Sequence, residues 1–376
     1  MYTFAPLPSW ADLVSAINST TPTESGLAAP WIQNCRFVSW FSRSAWAMKS
    51  IAVWWTATHD AKPPNVWLPD YFCNQSAELL RETGANLIFY PIKPDLEPDW
   101  KACQELITKG PSPDLFFLVH YFGHALDGAQ ALKFCRQNGA LLVEDAAHVL
   151  VPENGIGTWG DFVFFSQHKL IPTPDGALLL AQTAKALPSQ DLLANATLLA
   201  PPSRHWAWIT KRALQKIMPD WILRSRVRHL PGFDCDQQPT AATSSSLISK
   251  TGQRLISKSI NNLSVIAKQR KMIANAWRET FHEHGDKCKP FFSVKTEGSS
   301  PYRFMLQCPN EKSAVARFTA LREIGVAVET WPDLAPEVMA NPAQHETAIR
   351  LRQTLLFLPV HTYSNPNLSH LMRRLS

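Results

Sequence analysis

Residues 140–169 read ALLVEDAAHVLVPENGIGTWGDFVFFSQHK and contain two apolar segments, ALLV and FVFF, that each end in polar residues. Between them, residues 155–160 match the dinucleotide-binding pattern G-x-G-x-x-G. That pattern requires a helix to begin at its last glycine, so that a pyrophosphate can rest on the helix N-terminus. Here the β-branched and aromatic run after Gly160 predicts a buried strand instead. We therefore interpret the glycines as a tight turn between two strands and do not infer NAD binding from them.

Outward from this stretch, strand-like and helix-like segments alternate over about residues 40–182. Strands are predicted at 65–68, 86–92, 114–122, 140–146, 162–166 and 177–181, and helices at 44–53, 76–83, 100–108 and 128–138. Such alternation indicates an α/β protein whose mostly parallel sheet lies between helices. After residue 184 the sequence becomes helical and rich in proline, and a smaller α+β unit is predicted from residue 301. We place the boundary near residue 240, with a large domain over 1–240 and a small C-terminal domain with a long linking helix over 241–376.

The bulk composition excludes several classes of protein. The net charge of +6 comes from scattered basic residues rather than a cluster, which argues against a nucleic-acid groove and is compatible with an anionic small substrate. The seven cysteines are odd in number and never spaced C-x-x-C, so neither a metal site nor a disulfide framework is expected. No apolar run approaches the roughly 18 residues of a membrane span, and the first residues lack signal-peptide features. We expect a soluble, cytoplasmic protein without membrane contacts.

Asp145 and Lys169 both follow apolar strands, and ligands of open parallel sheets bind at the carboxyl ends of strands. Taken alone, Asp145 could cap a turn or helix, and Lys169 could be a solvated strand end. Together they are the two groups that pyridoxal phosphate needs. A lysine forms the Schiff base, while a carboxylate pairs with the pyridinium nitrogen and keeps it protonated as an electron sink. The pair therefore predicts a pyridoxal-phosphate site.

A phosphate-binding segment is predicted at residues 41–45, FSRSA. This segment leads into residues 46–53 of the predicted helix, so its backbone N–H groups and hydroxyls would meet a phosphate at the positive end of that helix. Arg43 and Ser44 are the candidate ligands, and Ser166 could add a hydroxyl from beside the lysine. An ordinary helix N-cap is the alternative interpretation of the same residues.

The order of these motifs resembles the DegT/DnrJ/StrS-type sugar aminotransferases, which are pyridoxal-phosphate enzymes of fold type I in the aspartate aminotransferase superfamily. The resemblance is most specific in EDAAH at 144–148, GTWGD at 157–161, and FSQHK at 165–169 followed by PDG at 174–176. It extends to residues 43–45, 68–92 and 119–123. It implies a mostly parallel seven-stranded sheet between helices, with a smaller C-terminal α+β domain.

By this resemblance, Lys169 is the Schiff-base lysine and the general acid and base of a 1,3-proton shift, and Asp145 pairs with the ring nitrogen. His148, where the family often has glutamine, is expected near the phenolic oxygen of the ring. The phosphate ligands implied are Ser166, Arg43 and Ser44. The implied reaction moves an amino group from an amino acid, commonly glutamate, to a keto-sugar carried on a nucleotide, for polysaccharide or glycoconjugate biosynthesis.

Several positions depart from the family pattern. Cys73 stands where the family usually places an aromatic residue over the cofactor ring, so stacking would fall to Tyr71 or Phe72. Residues 240–246 replace an N-x-R loop that typically reaches into the neighbouring subunit's site. The resemblance implies a homodimer, in which the stretch 211–246 would contact the partner. The candidate substrate contacts are His168, Arg303 and Trp331.

Three other functions stay open at this point. A sugar dehydratase of the same fold tends to carry histidine in place of the lysine, and His168 beside Lys169 keeps that alternative open. A non-catalytic or regulatory protein that retains the cofactor fold is the second. A nicotinamide-dependent dehydrogenase is the third, and it depends on the 155–160 pattern alone. Neither of the last two would show the visible absorbance of a protonated lysine imine.

Overall fold

The computed structural model describes residues 3–18, 20, 23–33, 35–183, 205–234, 246–283, 287–291 and 300–361. The strands in these residues are β1 Phe37–Phe41, β2 Asn65–Pro69, β3 Asn86–Tyr90, β4 Leu115–Val119, β5 Leu141–Ala146, β6 Phe162–Phe165, β7 Ala177–Ala181, β8 Lys289–Pro290, β9 Arg303–Gln307 and β10 Leu355–Pro359. The α-helices are α1 Trp10–Asn18, α2 Glu24–Ala28, α3 Ser44–Thr58, α4 Asn74–Arg81, α5 Trp100–Lys109, α6 Gly128–Asn138, α7 Trp206–Ile217, α8 Asp220–Val227, α9 Lys250–Ile260, α10 Leu263–Glu283, α11 Glu311–Glu323, α12 Pro336–Met339 and α13 Glu346–Thr354.

The first seven strands form one sheet in the order β1-β7-β6-β5-β4-β2-β3. Strand β7 runs antiparallel to both of its neighbours, while the pairs from β6 through β3 are parallel. The predicted fold class, a mostly parallel seven-stranded sheet in an α/β protein, is therefore confirmed. The carboxyl ends of β4, β5 and β6 lie side by side, which brings the segments after them to one edge of the sheet.

The central strands are apolar along their whole length because both faces of the sheet are covered. Every residue of β4, β6 and β7 is buried. In β6, Phe162 and Phe164 join the core beneath α3, whereas Val163 and Phe165 join a second cluster on the opposite face. This alternation follows from the two-residue period of a strand, and it makes the sheet the rigid layer on which the polar strand ends are mounted.

Two features of the large sheet differ from the sequence expectations. Strand β1 was not predicted. It is only five residues long, it begins before the region of alternating strands and helices, and only its last two residues are buried. The strand predicted over 114–122 ends at Val119, and the aromatic residues after it form a single 3₁₀ turn over Tyr121–Gly123. In that turn Phe122 adopts φ +56°, a left-handed conformation that an aromatic residue rarely occupies. The residues after Val119 have the composition of a strand, but the tertiary contacts described below favour a turn instead.

The C-terminal part forms a second, three-stranded antiparallel sheet in the order β10-β9-β8. Helix α11 packs against α13 and β10, and the long helix α10 contacts β8 and β9. Residues from this unit, including Trp331 and Phe357, also join the core of the large sheet. The domain boundary predicted near residue 240 falls outside the described residues. Within the described part of the chain, no helix is both long and apolar enough to cross a membrane.

The loop that matches G-x-G-x-x-G surrounds the carboxylate of Glu144, a side chain of the same protein. The fully buried Glu144 carboxylate accepts hydrogen bonds from the N–H groups of Gly157 and Trp159, both at 2.8 Å, and of Gly160 at 2.6 Å. His120 Nε2 donates to the same carboxylate at 2.9 Å. Burial alone would raise the pKa of Glu144, but the hydrogen bonds from His120 and the loop bring it below its ordinary value. The predicted turn between two strands is confirmed.

We expect Gly160→Ala to lower the free energy of unfolding by about 2 kcal/mol or more. A Cβ at this position would overlap the carbonyl oxygen of Phe162 and lie 3.2 Å from the Glu144 side chain. Urea denaturation measures the change. Gly232→Ala is the matched control, since a Cβ there meets no heavy atom within 4 Å, and we expect it to change stability by less than about 0.5 kcal/mol. Equal losses in the two variants would contradict the proposed role of the loop.

Candidate active site

A cavity of about 330 Å³ lies where the carboxyl ends of the large sheet meet the C-terminal unit, and a recess of about 30 Å³ shares part of its wall. The predicted site residues that line the cavity are Arg43, Ser44, Cys73, His148, His168, Lys169, Arg303 and Trp331. The recess adds Phe72 and Asp145. Ser166 and Tyr71 lie outside both linings. The structure thus brings together side chains that lie up to 288 positions apart in the sequence, from Arg43 to Trp331.

At the junction of cavity and recess, Lys169 Nζ lies 3.3 Å from His148 Nε2. Asp145, at the end of β5, accepts a hydrogen bond at 2.9 Å from the N–H of Ala147. Burial lowers the pKa of Lys169 and raises that of Asp145, and the attraction between the two opposes both shifts. Burial, together with the charges of Lys169 and Arg303, lowers the pKa of His148 well below its usual range. A basic group with such strongly perturbed neighbours is a candidate for chemistry.

A short 3₁₀ turn over Gln167–Lys169 presents the lysine to the cavity as soon as β6 ends. The Lys169 N–H donates to the carbonyl of Ser166 at 3.0 Å, and the His168 N–H donates to that of Gly176 at 3.2 Å. Gly176 has φ +132°, and a Cβ there would meet Ile256 at 2.6 Å, so only glycine fits this close approach. Hydrogen bonds to Ser166 before it and to Gly176 after it therefore hold the 3₁₀ turn in place.

The predicted phosphate segment forms the start of α3 and one edge of the cavity. Arg43 is the N-cap of this helix and makes no side-chain capping bond, so the first-turn N–H groups lack a side-chain acceptor there. The Arg43 guanidinium instead donates to the carbonyl of Pro174 at 2.9 Å. Ser166 is fully buried, with its hydroxyl 3.3 Å from His168 Nδ1. A phosphate role for Arg43, Ser44 and Ser166 remains a prediction.

The two candidates for stacking on a cofactor ring, Tyr71 and Phe72, lie at different depths, as does the neighbouring Cys73. Tyr71 is fully buried behind the cavity wall, where its ring stacks on Trp331 at 4.6 Å and 17°. Phe72 and Cys73 reach the recess itself. Any stacking contact in the cavity therefore falls to Phe72 or to another aromatic residue of the lining.

The predicted substrate residue Arg303 opens β9 and is almost completely buried. Its Nε donates to Glu329 at 2.6 Å, its Nη2 donates to the carbonyl of Phe4 at 2.6 Å, and its guanidinium lies 4.2 Å from the centre of the Tyr302 ring. Because Glu329 neutralises it, Arg303 presents less net charge to the cavity than its position in the lining suggests.

Sequence reasoning missed three lining residues that act on the predicted ones: Phe122, Tyr302 and Glu329. The Phe122 N–H donates to His148 Nδ1 at 3.3 Å, and the Tyr302 ring stacks on the imidazole at 4.5 Å and 11°. No local pattern marks these positions, since each reaches the site through contacts between distant segments. The adjacency of Tyr302 to Arg303 was the one available signal.

The match to a known protein family covers the central segment of the chain, which contains Asp145 and Lys169. Residues 66–186, which run from β2 past the end of β7, match the family model of the DegT/DnrJ/EryC1/StrS aminotransferase family. The resemblance to this family is confirmed. A Saccharopolyspora spinosa dTDP-4-dehydro-2,3,6-trideoxy-D-glucose 4-aminotransferase is 29% identical over 123 residues, which are 31% of this chain and 31% of that protein.

Solved structures extend the likeness to nearly the whole chain. A putative sugar aminotransferase of Streptococcus pneumoniae in its PMP form has a TM-score of 0.71 at 15% identity, covering 99% of this chain and 97% of its own. The same protein in its PLP form has a TM-score of 0.71. Helicobacter pylori PseC, an aminotransferase involved in pseudoaminic acid biosynthesis, has a TM-score of 0.70 at 14% identity, with coverages of 99% and 97%. At these identities the likeness shows the fold, which is that of sugar aminotransferases.

We expect Tyr71→Phe to leave the free energy of unfolding within about 0.5 kcal/mol of the wild type. The Tyr71 hydroxyl is buried without a hydrogen-bond partner among the described residues, so little is lost with it. Tyr121→Phe is the matched comparison, because the Tyr121 hydroxyl donates to the Tyr71 carbonyl at 2.8 Å. Loss of the Tyr121 hydrogen bond should lower the free energy of unfolding, measured by urea denaturation, by about 1 kcal/mol. If Tyr71→Phe proved the more costly change, the placement of Tyr71 behind the wall would be wrong.

Proposed function

We propose that this protein is a pyridoxal-phosphate-dependent aminotransferase that moves an amino group from an amino acid, glutamate in the simplest case, to a keto-sugar linked to a nucleotide. One observation carries the proposal: the Lys169 amine ends in the cavity beside His148, with Asp145 on the neighbouring strand end. The family match over residues 66–186 supports the reaction class. The name of the Saccharopolyspora spinosa relative supports a nucleotide-linked sugar.

The residues present fit pyridoxal phosphate. Lys169 supplies the amine for the covalent link, and Asp145 supplies a buried carboxylate for the ring nitrogen. The start of α3 supplies N–H groups without a side-chain cap, which suits a phosphate at the positive end of a helix. Arg43 and Ser44 line the cavity beside these groups. Charge, hydrogen-bonding capacity and position thus agree for the aldehyde, the ring nitrogen and the phosphate.

When bound, the cofactor would supply an electron sink for the carbon that loses a proton. The protein's own residues would do the rest. Asp145, whose pKa is raised by burial and held down by Lys169, would favour a positive charge on the ring nitrogen. Lys169, whose pKa burial lowers, would take up and return a proton at Nζ. The aromatic side chains in the cavity wall, such as Trp331 and Phe357, would help to exclude water.

We further propose that the enzyme acts in the cytoplasm as a homodimer whose subunits complete each other's sites. Ser246 is fully buried, and its carbonyl accepts a hydrogen bond at 2.9 Å from the N–H of Ser42. The chain therefore returns to the edge of the candidate phosphate site just after residues 235–245, which lie outside the described residues. The proposed role of the stretch 211–246 at a subunit contact rests on the resemblance to the family, and this return of the chain is compatible with it.

Light scattering at micromolar concentration should give twice the chain mass of 42.2 kDa for protein that carries the cofactor. The physical reason is that a site shared between subunits binds its ligand only in the dimer, so cofactor binding and association are linked. Cofactor-free protein at the same concentration is the control. A monomer that retains the cofactor would contradict the shared site.

We expect Lys169→Ala to abolish the absorbance band of the lysine imine, with the cofactor still bound noncovalently. It should lower the rate of amino transfer by about 10²-fold to 10⁴-fold or more, because the amine is both the point of attachment and the proton carrier. Borohydride reduction followed by peptide mass spectrometry should place the cofactor on Lys169 in the wild type. Lys101→Ala, at an exposed position of α5, is the control and should behave as the wild type. Reduction that still links the cofactor to Lys169→Ala protein would assign the nucleophile to another lysine.

A further inference from the structure

We propose that His148 is a positioning residue that holds Lys169 as its uncharged amine, through a ring tautomer imposed by the backbone N–H of Phe122. The proposal rests on the proposed function in one respect, which is that Lys169 is taken as the reacting nucleophile. The argument concerns the protein before any cofactor is bound.

The tautomer of His148 follows from the direction of one hydrogen bond. The backbone N–H of Phe122 donates to His148 Nδ1 at 3.3 Å. A backbone N–H is always a donor, so Nδ1 must be the acceptor and carries no proton. An uncharged imidazole then carries its proton on Nε2. The imidazolium form would place a proton on Nδ1 against the Phe122 N–H, so it is disfavoured while this bond persists.

The state of Lys169 follows from the tautomer. Nε2 of His148 lies 3.3 Å from Lys169 Nζ, and its proton must point to an acceptor there. An ammonium group has three donors and no acceptor, whereas an uncharged amine has a lone pair. The hydrogen bond therefore forms only with the uncharged amine. The lone pair that accepts from Nε2 is the one a nucleophilic lysine uses once this hydrogen bond opens.

Contacts on the ring keep this geometry in place. The Tyr302 ring stacks on His148 at 4.5 Å, and the Tyr302 N–H donates at 2.8 Å to the carbonyl of Phe122. The same residue thus holds both the imidazole and the turn that determines its tautomer. The next residue, Gly123, has φ +90°, and a Cβ there would lie 2.8 Å from the carbonyl oxygen of Ser300. The strained φ of +56° at Phe122 is maintained by this docking.

The charged groups around Lys169 act in both directions. Asp145 and Cys73 favour the ammonium form, whereas Arg303, Arg43 and burial favour the amine, and the pKa of Lys169 is lowered on balance. Around His148, burial and Arg303 disfavour the imidazolium, as does Lys169 whenever it carries a proton. Electrostatics and hydrogen-bond direction therefore agree. The specific contribution of His148 is the directed donor, which burial alone does not provide.

The test measures the titration of Lys169 in cofactor-free protein by competitive acetylation with trace acetic anhydride between about pH 6 and 10. Peptide mass spectrometry reports the labelling of Lys169 relative to the exposed Lys101. We expect His148→Phe, which keeps an aromatic ring for Tyr302 but has no donor, to lower Lys169 labelling near neutral pH by about tenfold, equivalent to one pKa unit. Unchanged labelling would show that burial alone sets the state of the amine and would overturn the proposal.

His148→Gln is the conservative variant. Its amide oxygen can accept from the Phe122 N–H while its amide nitrogen donates to Lys169. We expect it to label within about threefold of the wild type across the same pH range. Loss of labelling in His148→Gln equal to that in His148→Phe would count against a role for the directed donor. Circular dichroism of each variant confirms that the comparison is made on folded protein.

A second measurement needs no substitution at the site for its main result. The ¹⁵N chemical shifts of histidine-labelled wild-type protein, with His148 assigned from the His148→Gln spectrum, distinguish a protonated from an unprotonated ring nitrogen. We expect Nε2 protonated and Nδ1 unprotonated at neutral pH. The opposite tautomer, or an imidazolium, would overturn the proposal. Because both experiments use cofactor-free protein, failure of the aminotransferase proposal would appear separately, as an absent visible band on adding pyridoxal phosphate.

Discussion

The site depends on one buried carboxylate that has no direct part in the chemistry. Glu144 lies on β5 beside Asp145, and its oxygens accept from three loop N–H groups and from His120. An unpaired carboxylate at this depth would be very costly, but one with four donors is stable. These bonds fix the loop that enters β6, the strand that delivers Lys169. They also fix the end of β4, from which the Phe122 turn begins. The positions of the lysine, the aspartate and the histidine thus share one anchor.

The same arrangement explains why a dinucleotide-binding pattern appears without its function. Glycines at 155, 157 and 160 allow several N–H groups of one loop to converge on an anion, which is the property that nucleotide-binding loops use. Here Gly155 and Gly157 have positive φ, at +82° and +79°. The anion they enclose is Glu144, so the phosphate-binding capacity of the loop is already satisfied. The candidate phosphate site lies instead at the start of α3, where the helix has no side-chain cap.

Prediction from the sequence succeeded where a feature is local. The buried strands β4 to β7 are continuous apolar runs, and polar residues directly after them, such as Asp145 and Lys169, could be assigned to one edge of the sheet. It failed where a distant segment determines the outcome. The turn at Phe122 has the composition of a strand, and only its contacts with Tyr302 and His148 favour the left-handed conformation. Glu329 and Tyr302 reach the cavity from the C-terminal unit, and no spacing in the sequence records that contact.

The distribution of charge in the cavity indicates what the protein leaves for its ligands to supply. Arg303 is neutralised by Glu329, and Lys169 lies near Asp145 with a pKa that burial lowers. Arg43, in contrast, donates to a carbonyl at 2.9 Å, and burial lowers its pKa although Asp175 opposes the shift. A partly buried cation at a helix N-terminus without a side-chain cap is stabilised by an incoming anion. The phosphate end of the cavity therefore gains most from a ligand with negative charge.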